Sequence, residues 1–344
     1  MRNVNIAYAI EVLNGRLNGS SETVEVNKSG NKNTSYVKKI AGRGLVSSNC
    51  QKYNMIKYLE DVQKFEISKR KKIEKEVFSK TLPHKYVNED LFGFMKAQNI
   101  VITEEEYQQL DEIEQSLFSK NGRKGYKQNI TKKRMSRVHL SSLVNISNTK
   151  INTEFKVTTT DTENMLYNVE TYSGLMAGIA NIDIENIGKF KISDLTSEFR
   201  DYTPEEEYTE EEISLTEEER KRRIISAIES LQFLNISGNQ NNYLTDTTPK
   251  VVIIGEYGWG NNVFYGIIKG NGIDIEALKE SLDDNERFRQ SNVWIGISSK
   301  MYNENYNKDY VDKLKESMKE YEFVSVGTVG QAFKGYIDFL KETL

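Results

Sequence analysis

The sequence predicts an α+β fold built on an antiparallel sheet that carries insertions. Three observations support this. A strand pattern at the start is followed by a capped helix pattern, two strand patterns occupy the middle of the chain, and a second capped helix leads into an apolar strand near residue 250. Strand–helix, strand–strand, helix–strand is the order of a ferredoxin-like or RRM-like sheet. With 344 residues, 37% hydrophobic and 28% charged, the chain can bury a large core beneath a well-solvated surface.

Val4 to Leu13 reads as the first strand, with Val4, Ile6, Tyr8 and Ile10 on one face. The polar stretch from Asn14 to Asn33 is too long for a tight turn, and loops of that length in compact domains usually carry function or are disordered. Ser47-Ser48-Asn49 offers N-caps for a helix to about Val62 with Met55, Ile56 and Leu59 on its apolar side. Residues 65–120 read as mostly helical. A basic, Gly-containing stretch from Asn121 leads to an expected strand over Val138 to Ile146, and a second strand covers Glu154 to Thr160. Glu170 to Phe190 reads as a long strand ending near Gly188. Residues 193–219 are acidic and carry Pro204, as an exposed excursion would. Thr216-Glu217-Glu218-Glu219 resembles a capping box for a helix through Leu231. Pro249 opens an apolar strand over Lys250 to Ile254. The last helix, about Val329 to Leu344, aligns Phe333, Ile337 and Leu340.

Charge is sorted along the chain. Residues 1–150 hold 27 Lys and Arg against 16 Asp and Glu, a net of +11; the rest hold 20 against 35, a net of −15. A basic half suits a polyanion, because Lys and Arg gain by displacing counterions from phosphates; it would equally suit the acidic half of the same or a neighbouring chain. One cysteine, Cys50, excludes an internal disulfide and fits a reducing cytoplasm. With only His84 and His139 beside it, a zinc site of N and S ligands is not expected, and no cofactor is implied. No apolar run reaches the roughly 20 residues of a membrane helix, and no signal peptide is expected.

The strongest local signal is Arg123 to His139, which joins Arg123, Lys124, Lys127, Lys132, Lys133, Arg134 and Arg137 to Gly122, Gly125 and Tyr126. Cations neutralise phosphates, glycines allow close backbone approach and an aromatic ring can stack on a base; a solvated loop has the same composition. Lys38, Lys39, Arg43, Ser47, Ser48, Asn49 and Lys52 crowd a helix start, where backbone N–H groups and hydroxyls suit a phosphate or simply cap the helix. GEYGWGNN lacks the dinucleotide spacing, ISGNQNN could form an anion nest, and EEEYTEEE reads as a solvated face. The first aspartate is Asp61, so the loop after the first strand offers only Glu22 and Glu25 as carboxylates. That is thin support for metal-assisted or acid–base cleavage, and no enzyme is expected.

RVHLSSLVNIS (Arg137 to Ser147) and ETYSGLMAGIANIDIENIGKF (Glu170 to Phe190) resemble the backbone, RNA-binding subunit of type I-B CRISPR Cascade, the DevR-type autoregulator family of the repeat-associated (RAMP) superfamily. NEDLFGFMKA (Asn88 to Ala97), EEERKRRIISAIESL (Glu217 to Leu231) and TPKVVIIGEYGWGNN (Thr248 to Asn262) follow the same order. The resemblance implies an RRM-like palm over 1–60, 131–190 and 215–344, a helical fingers insertion over 61–130 and a thumb hairpin over 191–214. It also implies a non-catalytic scaffold that oligomerises in a helical filament along CRISPR RNA. Target DNA would pair with the guide in antiviral defence, alongside other Cascade subunits and the effector nuclease-helicase. Its RNA-contacting segments fall on Asn14, Gly15 and Arg16; on Arg43, Ser47, Ser48, Asn49 and Lys52; on Lys132, Lys133, Arg134 and Arg137; and on Ser237, Gly238, Asn239 and Gln240. The expected thumb is acidic, so it would touch RNA through its backbone or through Leu195 and Phe199, or face another protein. Related type III subunits cut RNA with an aspartate after the first strand, and this sequence has none there. A CRISPR-associated endoribonuclease and a sequence-specific transcriptional autoregulator are the alternatives.

Overall fold

The computed structural model describes residues 2–18, 23–24, 34–73, 76–159, 161, 164–192, 202, 208–259 and 262–344. The chain divides into two compact units, one of residues 1–63, 138–185 and 224–344, the other of residues 64–137 and 186–223.

The first unit is organised by β1 (Asn3–Gly15), whose residues are buried on both faces over most of its length. In chain order the unit continues with β2 (Arg43–Val46), α1 (Ser48–Asp61), β3 (Val138–Leu140), β4 (Leu143–Asn145), β5 (Asn152–Thr159) and β6 (Asn164–Asp183). β1 runs antiparallel to β6, Asn3 opposite Asp183 and Val12 opposite Gly174. On its other edge it runs antiparallel to β7 (Val251–Tyr257), Ala9 opposite Val251. The helix α2 (Glu217–Gln232) lies between β6 and β7 in sequence. Next in the sheet stands β8 (Arg289–Ile297), antiparallel to β7, and then β9 (Val324–Gly327), parallel to β8. Along the spatial order β9-β8-β7-β1-β6-β4-β2 every neighbour is antiparallel except the edge pair β9-β8, and with its helices this largely antiparallel sheet makes the fold α+β as expected.

The side chains alternate as a sheet requires. On one face, Ala7, Ala9, Leu175, Ile253 and Ile295 join a core completed by α3 (Ile275–Asp284) and α4 (Lys308–Ser317), with Leu278, Leu282 and Leu314 fully buried. On the other, the Tyr8 hydroxyl bonds to Gln51 of α1, while Trp294 meets Tyr336 of α5 (Val329–Thr343) edge-on at 5.6 Å. Burial pushes the Tyr8 phenol far above its ordinary pKa, which keeps it a neutral donor at any physiological pH.

The strand expected over Val138 to Ile146 is two short strands, β3 and β4. Between them the Ser141 hydroxyl accepts from the Ile179 backbone N–H at 2.9 Å, so a side chain stands in for one rung of the ladder. The strand expected over Glu170 to Phe190 starts earlier and ends earlier, at Asn164 and Asp183, because β5 pairs with its first half and β1 with its second.

The second unit corrects the expectation that residues 65–120 are mostly helical. After one helical segment, Val87–Phe92, the chain turns into a strand, Phe94–Ile102, which runs antiparallel to Tyr126–Arg134. Gly93 causes the switch. It has φ +67°, and a Cβ there would lie 2.3 Å from the Arg134 carbonyl oxygen, so helix cannot continue through it and the two backbones come close. Lys71–Ile73 pairs with Glu76–Phe78 as a small hairpin, and among the described residues of 65–120 Glu104–Gln108 and Glu112–Ser116 add two short helices. Most of the expected thumb, including Leu195 and Phe199, lies outside the described residues, as do Glu22, Glu25 and most of the Asn14 to Asn33 loop.

Candidate nucleic-acid interface

Three of the four segments singled out in the sequence converge in the first unit. β1 ends at Gly15, and the next residues are held from two sides. The buried Tyr172 hydroxyl accepts from the Leu17 N–H at 3.1 Å, and the Asn18 amide oxygen accepts from the Ser47 N–H at 3.1 Å. Asn18 also donates to the Leu45 carbonyl. Leu17 and Asn18, just after the first strand, are thereby fixed against the start of α1.

Ser47 caps that helix: its hydroxyl accepts from the Cys50 N–H at 3.3 Å, as the sequence predicts. Its first turn holds no acidic residue, so nothing there offsets the positive end of the helix dipole. The surrounding sequence is one-sided, since no Asp or Glu occurs from Val26 to Leu59, whereas Lys38, Lys39, Arg43, Lys52 and Lys57 all do. Arg43 is exposed on β2, Asn49 is exposed, and Ser48 and Lys52 are half-buried. Lys39 is held by Glu170 at 2.8 Å.

The 237–240 loop arrives from the end of α2. Asn54, buried in α1, accepts from both the N–H and the hydroxyl of Ser237 at 3.0 Å and donates to the Cys50 carbonyl at 2.8 Å. A Cβ at Gly238 would sit 2.0 Å from the Leu17 carbonyl oxygen, so only glycine fits. Asn239 takes the left-handed conformation (φ 54°, ψ 25°) that asparagine tolerates, and its amide donates to the Arg16 carbonyl at 2.8 Å. Gln240 closes the loop on itself, donating to the Ile236 and Thr245 carbonyls and accepting from the Thr245 N–H at 2.7 Å.

Two expected contacts have inward roles. Arg16 is 8% exposed and donates to the Tyr36 carbonyl at 3.1 Å. Asn14 donates to Glu154 at 2.6 Å; that bond, with Lys156 and Tyr243 adding to it against partial burial, holds the Glu154 carboxyl below its usual range.

The fourth segment lies in the second unit and changes meaning. Arg134, expected to face RNA, is fully buried: its side chain pairs with Asp90 and donates to the Asn186 and Lys189 carbonyls at 3.1 Å, over the Phe190 ring. Asp90 is equally buried and also takes Arg223 at 3.0 Å and the Gly188 N–H at 3.1 Å. Arg223 donates in turn to the Pro83 and His84 carbonyls at 2.8 Å. Lys132, two residues before Arg134 on the same strand face, is 2% exposed. Neither side chain is a surface contact. Lys133 and Arg137 are half-buried, and the Arg137 backbone N–H bonds to the Leu91 carbonyl at 2.9 Å.

Sequence reasoning missed Asp90, Arg223, Asn18 and Asn54. Asn54 was detectable as an amide on the apolar side of the α1 pattern, next to Met55. Asp90 carried no such signal, because its partners come from 44 and 133 residues away. Among the described residues, no three His, Cys, Asp or Glu side chains are grouped to hold a metal ion, and no helix is long and apolar enough to cross a membrane.

A helix start free of acids, bordered by cations and braced through backbone and amide contacts, is the candidate anion-binding surface of this α+β fold. The chain belongs to the family described as CRISPR-associated negative auto-regulator DevR/Csa2, whose model matches residues 34–255. It is also similar to a solved chain described as "CRISPR RNA-guided surveillance complex, pre-nicking", with 11% identity, 98% of this chain and 100% of that one covered and a TM-score of 0.49. A second, described as "CRISPR RNA-guided surveillance complex", shows 14% identity, coverage of 92% and 98% and a TM-score of 0.46. No curated protein compared with the chain matches it.

Proposed function

We propose that this chain is a non-catalytic scaffold subunit of a type I-B Cascade that binds CRISPR RNA, oligomerises along it and supports pairing of the guide with target DNA in antiviral defence. The sheet of the first unit is read as an RRM-like palm, on the strand order β7-β1-β6-β4 with α1 following β1 and α2 preceding β7. Other copies of the chain, other Cascade subunits and the effector nuclease-helicase would be its partners, in the cytoplasm.

The observation that supports this best is the convergence of Asn14–Asn18, the α1 start and Ser237–Gln240 on one side of the sheet. Such a site takes a phosphodiester backbone by helix dipole, hydroxyls and cations, without reading base identity. Arg43, exposed on β2, and the half-buried Lys52 at the start of α1 are the cations nearest it.

The test is fluorescence anisotropy with a labelled CRISPR repeat RNA across a salt series, on wild type and the Arg43→Ala/Lys52→Ala double variant. The variant should bind more weakly, with a salt slope shallower by about 0.7 for each single-strand phosphate it no longer neutralises. An unchanged slope and affinity would remove the α1 start from the interface. The autoregulator reading rests on the matched family's description and predicts sequence-specific duplex DNA binding, which a scaffold lacks. Metal-dependent or metal-free cutting of the same RNA by purified wild type would overturn the non-catalytic reading.

A further inference from the structure

Beyond its start, α1 carries a second feature. Asn54 and Tyr58 stand four residues apart on one face of the helix, and the segment leaving α2 runs beside them in the opposite sense. Ser237 bonds to Asn54 at 3.0 Å, while Phe233 stacks on Tyr58 with ring centroids 5.9 Å apart and planes 17° from parallel. A cavity of about 490 Å³ opens there, lined by Asn54, Lys57, Tyr58, Phe233, Asn235 and Ser237 among others, all in the first unit. That volume is in the range of small-molecule sites. Asn54 and Ser237 are also the pair that braces the candidate interface, so the cavity is continuous with it.

Three of the lining groups are accessible and unengaged. Phe233 is 47% exposed, whereas Leu231 and Leu234 on either side of it are buried, so the backbone turns this ring outward and Tyr58 backs it. Lys57 and Asn235 are exposed, and among the described residues neither side chain has a hydrogen-bond or ion-pair partner. Asp61 also lines the cavity but already has a partner, so it is not counted as a free acceptor. Ring, amide and ammonium match the three parts of a nucleotide: a plane to stack, an edge to hydrogen-bond and a phosphate to neutralise. An aliphatic side chain from a protein partner would use the ring and leave the amide and the ammonium without a counterpart.

We propose that this cavity holds one unpaired base of the bound RNA, stacked on Phe233, with Asn235 at the base edge and Lys57 at its phosphate. The inference rests on the RNA-binding reading above and adds to it a base-stacking subsite. The Asn235 amide presents both donors and an acceptor, so it meets the edge of any base. A π-face likewise takes every base, and the subsite therefore works along a strand of any sequence.

Fluorescence anisotropy on the full-length, nuclease-treated chain tests it with two labelled probes of equal charge, an adenosine decamer and an abasic ribose-phosphate decamer. Phe233→Leu should weaken binding of the adenosine decamer about tenfold at an unchanged salt slope and leave the abasic decamer unaffected, because only a base can stack. Phe233→Trp should keep wild-type affinity, which separates loss of the ring from damage to the fold. Lys57→Ala should make the salt slope shallower by about 0.7 on both decamers. The proposal is overturned, with the scaffold reading intact, if Phe233→Leu binds the adenosine decamer as wild type does or weakens both decamers equally. A Phe233→Trp variant as weak as Phe233→Leu, or an unchanged slope in Lys57→Ala, overturns it too. A wild type that binds neither decamer overturns both readings.

Discussion

Replacing Arg134 with Ala separates a surface role from a structural one. The wild-type guanidinium is wholly buried and satisfies the Asp90 carboxylate together with the carbonyls of Asp90, Asn186 and Lys189. Removing one member of a buried ion pair costs about 3–5 kcal/mol, because the remaining charge stays desolvated. Here Asp90 keeps Arg223 and the Gly188 N–H, which limits the loss, while three carbonyls lose a donor, which adds to it. About 4 kcal/mol is the expected net, a large share of the 5–15 kcal/mol typical of a domain. With an m-value of about 2 kcal/mol/M for a unit of this size, the urea midpoint of that unit should fall by roughly 2 M. Since the chain holds two units, the transition is best followed by limited proteolysis of residues 64–137 as well as by circular dichroism. Arg134→Lys should recover part of the loss, as an ammonium cannot span the same acceptors. A midpoint within a few tenths molar of wild type, combined with weaker RNA binding, would refute the buried-pair account and return Arg134 to the surface.

Ser47→Ala removes the α1 cap and should cost about 1 kcal/mol, read as a lower urea midpoint of the first unit. Gly238→Ala forces a Cβ onto the Leu17 carbonyl and should displace the loop, lowering RNA affinity about tenfold (about 1.4 kcal/mol) with little change in circular dichroism. Burial first, then the charges of Lys85 and Arg223, lower the His84 pKa. The unfolded chain therefore takes up the proton at higher pH than the folded one, so this contribution to stability is whole above about pH 6.5 and is lost as pH falls through the folded value. Urea midpoints at pH 7.5 and 5.5 should differ more in wild type than in His84→Phe.

Much of the sheet was readable because its strands obey a local rule. Val4 to Leu13 alternates, and α1 announces itself through Ser47 and the spacing of Met55 and Leu59. The second unit was not readable for a physical reason. Phe94–Ile102 is a strand because Tyr126–Arg134 lies beside it and Gly93 allows the turn, and neither condition is present in the nine residues themselves. The same holds for the basic segment: period-two placement on a strand decides that Lys132 and Arg134 go inward, and composition alone cannot tell the two faces apart. At the candidate interface, the cations and the cap were legible, whereas the bracing amides of Asn18 and Asn54 follow from tertiary contacts.

The pairing of β1 with β6 and β7 also sets a schedule for biosynthesis. Gly15 waits for Tyr172, and Ala9 for Val251, before either edge of β1 is covered. At ribosomal rates of about 5–20 residues per second, the first of these intervals is roughly 8–30 s. Throughout it an apolar strand with two open edges is exposed to other nascent chains. Slowing elongation between codons 16 and 172 should therefore lower soluble yield, and trigger-factor-like holding of the first strand should restore it.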